Sequence, residues 1–201
     1  GTSYMADFEN NPRNVAQNEN NSQEFNTYPV LGSDVATITI VEVGDYQCHM
    51  CKMWFEKTRP LIIENYVNTG KVNLVFVDLP FLGSDSWPAS EATYCADDQE
   101  KYWEYHSALF EFQQEIDDGW ANSNRLQAIA LNLDLDIQKF DECMASDKHL
   151  PRINSHNQLA RNEFGANSTP TFIIVNNSGD GERIVGAHPY ATFEEIINSM
   201  L

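Results

Sequence analysis

The chain has 201 residues, enough for one hydrophobic core with a subdomain built onto it, and its formal net charge is -18 at a pI near 4.4. Such an acidic surface repels nucleic acid and anionic membranes, so no nucleic-acid partner is expected. No stretch approaches about 18 consecutive apolar residues, so none reads as a membrane-spanning helix, and the first residues lack the basic-then-apolar pattern of a leader.

Residues 1–27 are mostly Asn, Gln, Glu and Ser with isolated aromatics, a composition that buries too little apolar surface to fold alone, and they read as a disordered or tether-like arm. Regular pattern begins near Val35. Ile38, Ile40, Val41 and Val43 make a strand with enough apolar content to be covered on both faces. The segment 49–68 carries Met50, Met53, Trp54, Leu61, Ile62, Tyr66 and Val67 at helical spacing, with Pro60 expected to kink it and Gly70 to end it. A second strand covers 71–79, and strand, helix and strand in this order predict a parallel crossover unit.

Between 84 and 165 helical segments dominate, at 88–96, 99–112, 123–131, 137–145 and 148–164, with Asp136 as the expected N-cap of the fourth and Ser146 of the last. Strand signal returns at 171–175, turn residues fill 176–181, and 182–185 reads as the second arm of a hairpin. A closing helix at 192–201 has Thr192 and Glu195 at capping-box spacing. The sum is an α/β chain: an arm at 1–27, a βαβ half at 28–83, a helical insertion at 84–165 and a ββα half at 166–201. The aromatic residues Tyr94, Tyr102, Trp103, Tyr105, Phe110 and Phe112 are expected to fill the core of the insertion, the alternative being that some of them rim a peptide groove beside Cys48 and Cys51.

The chemistry is expected at Cys48-His49-Met50-Cys51, a C-x-x-C placed where a strand gives way to a helix. Unpaired N–H groups at a helix start favour a thiolate, so Cys48 is the candidate nucleophile, and Cys51, one turn in, can attack a mixed disulfide formed on Cys48. As imidazolium, His49 would lower the Cys48 thiol, and Met50 offers a soft apolar contact to a peptide. Glu42 stands in an otherwise apolar strand, facing away from Val41 and Val43; a buried acid there would move the proton that Cys51 must lose. Thr169-Pro170 immediately precedes the third strand, and a cis bond would leave the Thr169 backbone free to pair with an extended peptide.

Cys95 and Cys143 form a distant pair whose bonding the spacing leaves open; a link would close a loop of nearly 50 residues and imply an oxidising compartment. Two thiolates could alternatively take a metal ion, but adjacent Cys48 and His49 do not readily converge on one tetrahedral ion. His106, His149, His156 and His188 have no zinc-ligand spacing, so no metal and no cofactor are expected. The competing readings are therefore a dithiol-exchange enzyme, a metal-delivery module using the reduced pair, and a redox-inactive peptide-binding module.

Four blocks in order, Val43-Gly44-Asp45-Tyr46-Gln47-Cys48-His49-Met50-Cys51, Trp87-Pro88-Ala89-Ser90-Glu91-Ala92, Lys101-Tyr102-Trp103-Glu104-Tyr105-His106 and Thr169-Pro170-Thr171-Phe172, carry a family likeness. From about Tyr28 to Leu201 it resembles the DsbA-like thiol-disulfide oxidoreductases of the thioredoxin superfamily. The resemblance implies a thioredoxin-like fold with a central mixed β-sheet and an inserted helical subdomain. It implies Cys48 as the attacking or accepting cysteine, Cys51 as the resolving one, Glu42 as the buried acid and Pro170 as a cis-proline beside them. Cys95 and Cys143 match a structural disulfide of one branch of this family. Also implied are an extracytoplasmic location, secreted or tethered, cysteine-containing unfolded or partly folded substrates, and a separate partner that resets the redox pair. Where the best-known members carry Pro then His between the cysteines, this chain has His49 then Met50, and oxidase, isomerase and reductase directions all fit these residues.

Overall fold

The computed structural model describes residues 28–201, so the expected arm at 1–27 lies outside the described residues. Four strands, β1 (Ile38–Gly44), β2 (Val72–Asp78), β3 (Thr171–Asn176) and β4 (Gly181–Val185), form one sheet in the order β2-β1-β3-β4. β1 runs parallel to β2, while β3 is antiparallel to β1 and β4 antiparallel to β3. This is a thioredoxin-like sheet. Leu31, ahead of β1, adds an isolated antiparallel bridge to Leu74 on β2.

Every residue of β1 and β2 is buried, as their unbroken apolar runs require of strands covered on both faces. One face, with Val41, Val43, Val75, Val77, Ile173 and Val175, packs under α7 (Leu150–Asn162) through Leu159 and Ala160. On the opposite face Ile38, Ile40, Leu74, Phe172 and Ile174 meet Trp54 of α1 (His49–Lys57), Ile62 of α2 (Arg59–Ile62), and Phe193 and Ile197 of α8 (Tyr190–Met200). The period of two therefore places Glu42 on the α1 face of the sheet, opposite Phe76 on one side and Phe172 on the other.

The expected helix over 49–68 is broken as α1, α2 and a single π-helical turn at Ile63–Val67. α1 ends at Thr58, because Pro60 at the start of α2 has no N–H with which to continue the ladder. Between β2 and β3 lie α3 (Ser86–Asp97), α4 (Tyr102–Phe112), α5 (Ser123–Asn132), α6 (Ile137–Ser146) and α7. α3 to α6 share a core with Tyr105, Leu109, Phe110, Leu126, Ala130 and Phe140, which continues without a break to Tyr46, Cys48, Cys51 and Phe76. The loop that carries Cys48 is thus part of the core of the insertion.

Capping follows expectation at α6, where the Asp136 side chain accepts the Lys139 N–H at 3.1 Å, and departs from it twice. Ser146 closes α6, its hydroxyl bonded to the Cys143 carbonyl at 2.7 Å, and His149 takes the N-cap position of α7 without a side-chain bond. α8 starts at Tyr190, which puts Thr192 and Glu195 inside the helix and leaves Pro189 as the N-cap.

Candidate active site

Cys48 is the N-cap of α1, with φ -76° and ψ 115°, and its Sγ accepts the Cys51 N–H at 3.1 Å. The cap thus uses a sulfur where a hydroxyl or carboxylate is usual, directing the helix's unpaired donors at the thiol. The same Sγ lies 3.5 Å from the carbonyl oxygen of Thr169, and the Thr169–Pro170 bond is cis. Cys51, the next turn along, has no exposed surface, and both sulfurs are free thiols.

The two thiols have opposite acidities. Hydrogen bonds from the Cys51 thiol, from the Thr169 side chain and from the Cys51 amide hold Cys48 at about 7, against burial and the Asp45 charge, which push it up. Burial first, then the neighbouring Cys48 and Glu42, drives Cys51 well above the ordinary thiol value. Cys48 therefore ionises first, and at neutral pH Cys51 keeps its proton.

Glu42 is buried behind the pair, and among the described residues its Oε1 has no hydrogen-bond partner. Burial pushes its carboxyl up to about 8, the Arg59 guanidinium partly offsetting that rise and Cys48 adding to it. Arg59 is itself nearly buried, lying 4.9 Å from the centre of the Phe55 ring and 6.0 Å from a Trp103 ring. Glu42 can thus hold a proton at neutral pH.

His49 and Met50, the residues between the cysteines, are exposed. Cys95 and Cys143 lie apart from the pair and are joined by a disulfide between α3 and α6, with their Cα atoms 5.7 Å apart. Among the described residues, the metal-capable donors that converge are Cys95, Cys143 and His149, and both sulfurs are spent in that disulfide. That set does not include Cys48 or Cys51.

Sequence reasoning passed over Asp45, whose carboxylate accepts the Gln47, Phe81 and Leu82 N–H groups and the Ser86 hydroxyl, all at 2.8–3.0 Å. It also passed over Asp117, joined to Gln47 in both directions, side chain to side chain and N–H to side chain, at 2.8 Å each. An acid just before the C-x-x-C was a legible signal for the first; the second stands in a loop with no local pattern. Tyr46, whose hydroxyl meets His106 Nδ1 at 2.8 Å, and the buried trio Asp78, Tyr94 and His156 carry polar contacts into the insertion.

A sequence model described as thioredoxin matches residues 24–199. The chain belongs to the thioredoxin family. Within that family, oxidised BdbD from Bacillus subtilis superposes with a TM-score of 0.77 at 26% identity, covering 86% of this chain and 92% of that one. Wolbachia pipientis alpha-DsbA1 gives 0.73 at 26% identity, covering 86% and 90%. The chain is thus a DsbA-like member, with the insertion seen in those folds. Disulfide bond formation protein D of Bacillus subtilis is 35% identical over 104 residues, 51% of this chain, and the probable protein of that name in Bacillus anthracis is 28% identical over 142 residues, 68% of this chain. The aligned chain spans 65% of the length of the Bacillus anthracis protein and 47% of the Bacillus subtilis one.

Proposed function

We propose that the protein is a thiol-disulfide oxidoreductase acting on cysteines of unfolded or partly folded polypeptides. The observation that carries this reading is the Cys48 sulfur at the start of α1, where the Cys51 thiol first, then the Thr169 side chain and the Cys51 N–H at 3.1 Å, make it the acidic thiol of the pair. In the oxidised form a substrate thiolate attacks Cys48, forming a bond from the substrate sulfur to Cys48 and breaking the Cys48–Cys51 bond. Cys51 leaves as a thiolate and takes a proton, with Glu42 as the donor. A second substrate thiolate then attacks the substrate sulfur of the mixed disulfide, and Cys48 leaves as the thiolate its surroundings stabilise. Two electrons pass from substrate to protein, and the substrate gains a disulfide. In reverse, Cys48 attacks a substrate disulfide and Cys51, losing its proton to Glu42, resolves it.

In this reading Thr169 and Pro170 line the peptide beside Cys48, His49 and Met50 touch the substrate, and a separate redox partner resets the pair. The location is extracytoplasmic, supported by the Cys95–Cys143 disulfide, a bond that persists where thiols are oxidised. No helix among the described residues is long and apolar enough to cross a membrane.

The test is the reduction potential of Cys48–Cys51 in glutathione buffers, with mass mapping to keep Cys95–Cys143 separate. A value of about -120 to -180 mV fits oxidation or isomerisation, and one of about -270 mV fits reduction. Absence of a reversible couple overturns the enzyme reading.

A further inference from the structure

The insertion reaches the active-site loop through one buried side chain. Gln113, in the loop after α4, is 3% exposed, and its amide nitrogen donates to the Tyr46 carbonyl at 2.6 Å and to the Cys48 carbonyl at 3.0 Å. A glutamine amide has two N–H donors, and here each has its own acceptor. The backbone oxygen of Gln113 in turn accepts from Lys52 Nζ at 3.2 Å, so α1 holds the residue from the other side.

We propose that Gln113 is a positioning residue, which fixes the backbone on both sides of Gln47 so that Cys48 stays in the extended conformation that lets its sulfur cap α1. The Cys48 carbonyl already accepts the Lys52 N–H at 3.1 Å as the first bond of the helix, and Gln113 occupies its second acceptor direction. The Tyr46 carbonyl belongs to a residue with no exposed surface, so without Gln113 it would lose a buried partner. Holding both carbonyls from one amide leaves the intervening peptide little freedom to rotate. Cys48 Sγ is then kept beside the Cys51 thiol, on the Cys51 N–H and within reach of the Thr169 side chain, the donors that favour its thiolate. A helical insertion that supplies no reacting atom thereby sets the reactivity of the thiol.

The proposal rests on Cys48 being the reactive thiol of the proposed exchange, and its test reads that thiol directly, so it is independent of turnover. The groups facing Cys48 that also titrate or carry charge are Cys51 and His49 on α1, Glu42 on β1 and Asp45 in the preceding loop; all stay unchanged in the variants. In the reduced full chain, with Cys95–Cys143 intact, the rate of Cys48 alkylation by iodoacetamide is followed against pH for the wild type, Gln113→Met, Gln113→Glu and the neighbouring control Gln114→Leu. Gln113→Met, which keeps volume and loses both donors, is expected to raise the midpoint by about one unit and slow alkylation at about pH 6 about tenfold. Gln113→Glu, which replaces donors with acceptors, is expected to raise it at least as far, and Gln114→Leu to leave it in place. A midpoint within about 0.2 unit of wild type in folded Gln113→Met, whatever its melting temperature, overturns the proposal and leaves Gln113 a packing residue. Should both variants fail to fold, wild-type NMR decides: a Gln113 side-chain amide pair protected from exchange, with shifts that titrate with Cys48, supports the proposal, and an unprotected or non-titrating pair overturns it.

Discussion

The sulfur of Cys48 lies 3.5 Å from the carbonyl oxygen of Thr169, a residue 121 positions further along the chain. The sheet makes this contact. β3 runs antiparallel beside β1, pairing Thr171 with Val43, so the loop entering β3 arrives at the edge where β1 hands over to α1. The site is assembled from two halves of the chain, and neither half holds it alone.

The order of ionisation gives the first expected outcome. In the reduced protein Cys48 should alkylate with a midpoint near 7, while Cys51, pushed up by burial, stays unmodified across the same range. In the proposed exchange Cys48→Ser should abolish turnover, and Cys51→Ser should accumulate a mixed disulfide with a peptide thiol, visible as added mass. Preferential modification of Cys51 would contradict the assignment.

Glu42→Gln should stabilise the protein, and increasingly so as pH rises. The carboxyl is pushed up to about 8 from an ordinary 4.5. Below the lower value both folded and unfolded chains hold the proton and nothing is lost. As pH rises between the two, the unfolded chain releases it and the folded chain keeps it, so stability falls until a plateau above the folded value. The neutral amide removes this loss, a gain on the order of 4 kcal/mol at high pH and close to none at about pH 4. Urea unfolding of the oxidised protein at the two ends of that range measures it. The same variant should slow resolution by Cys51 in the proposed mechanism, because the proton acceptor is gone.

Asp45→Asn should separate stability from reactivity. The carboxylate accepts from Gln47, Phe81, Leu82 and Ser86, and an amide offers one oxygen and two donors to the same set, a loss of about 2–3 kcal/mol. At this chain length that lowers the melting temperature by about 5–10 °C. Asp45 also pushes Cys48 up, so removing its charge should move the Cys48 midpoint below its wild-type value near 7. Alkylation against pH and a melting curve on one sample read both effects.

Replacing Cys95 and Cys143 together by Ala should cost about 4 kcal/mol, the entropy of a closed loop whose ends are 48 residues apart. Unfolding in denaturant measures the loss. Cys48 alkylation should be unchanged, because neither of these sulfurs is among the groups that set its acidity.

Much of the fold could be read from local pattern. Val41 and Val43 against Glu42 gave the two faces of β1, and the apolar runs of β1 and β2 gave strands buried on both sides. Asp136 was legible as a cap because the side chain that caps a helix is three residues from the donor it meets. Ser146 misled for a related reason: its hydroxyl had a nearer carbonyl, Cys143, within the preceding helix.

The sequence by itself determined the chemistry available: two thiols one helical turn apart after a buried strand, an acid within that strand, and a proline before a later one. For the thiols and the acid these are properties of neighbouring residues, whose mutual placement backbone periodicity fixes; the proline reaches them only through the pairing of β3 with β1. Only the tertiary structure decided how each group behaves. Arg59 beside Glu42, Thr169 beside Cys48, and Gln113 on the carbonyls around Gln47 come from distant segments. Acidity and loop geometry depend on burial and on such through-space partners, whose distances no spacing along the chain encodes.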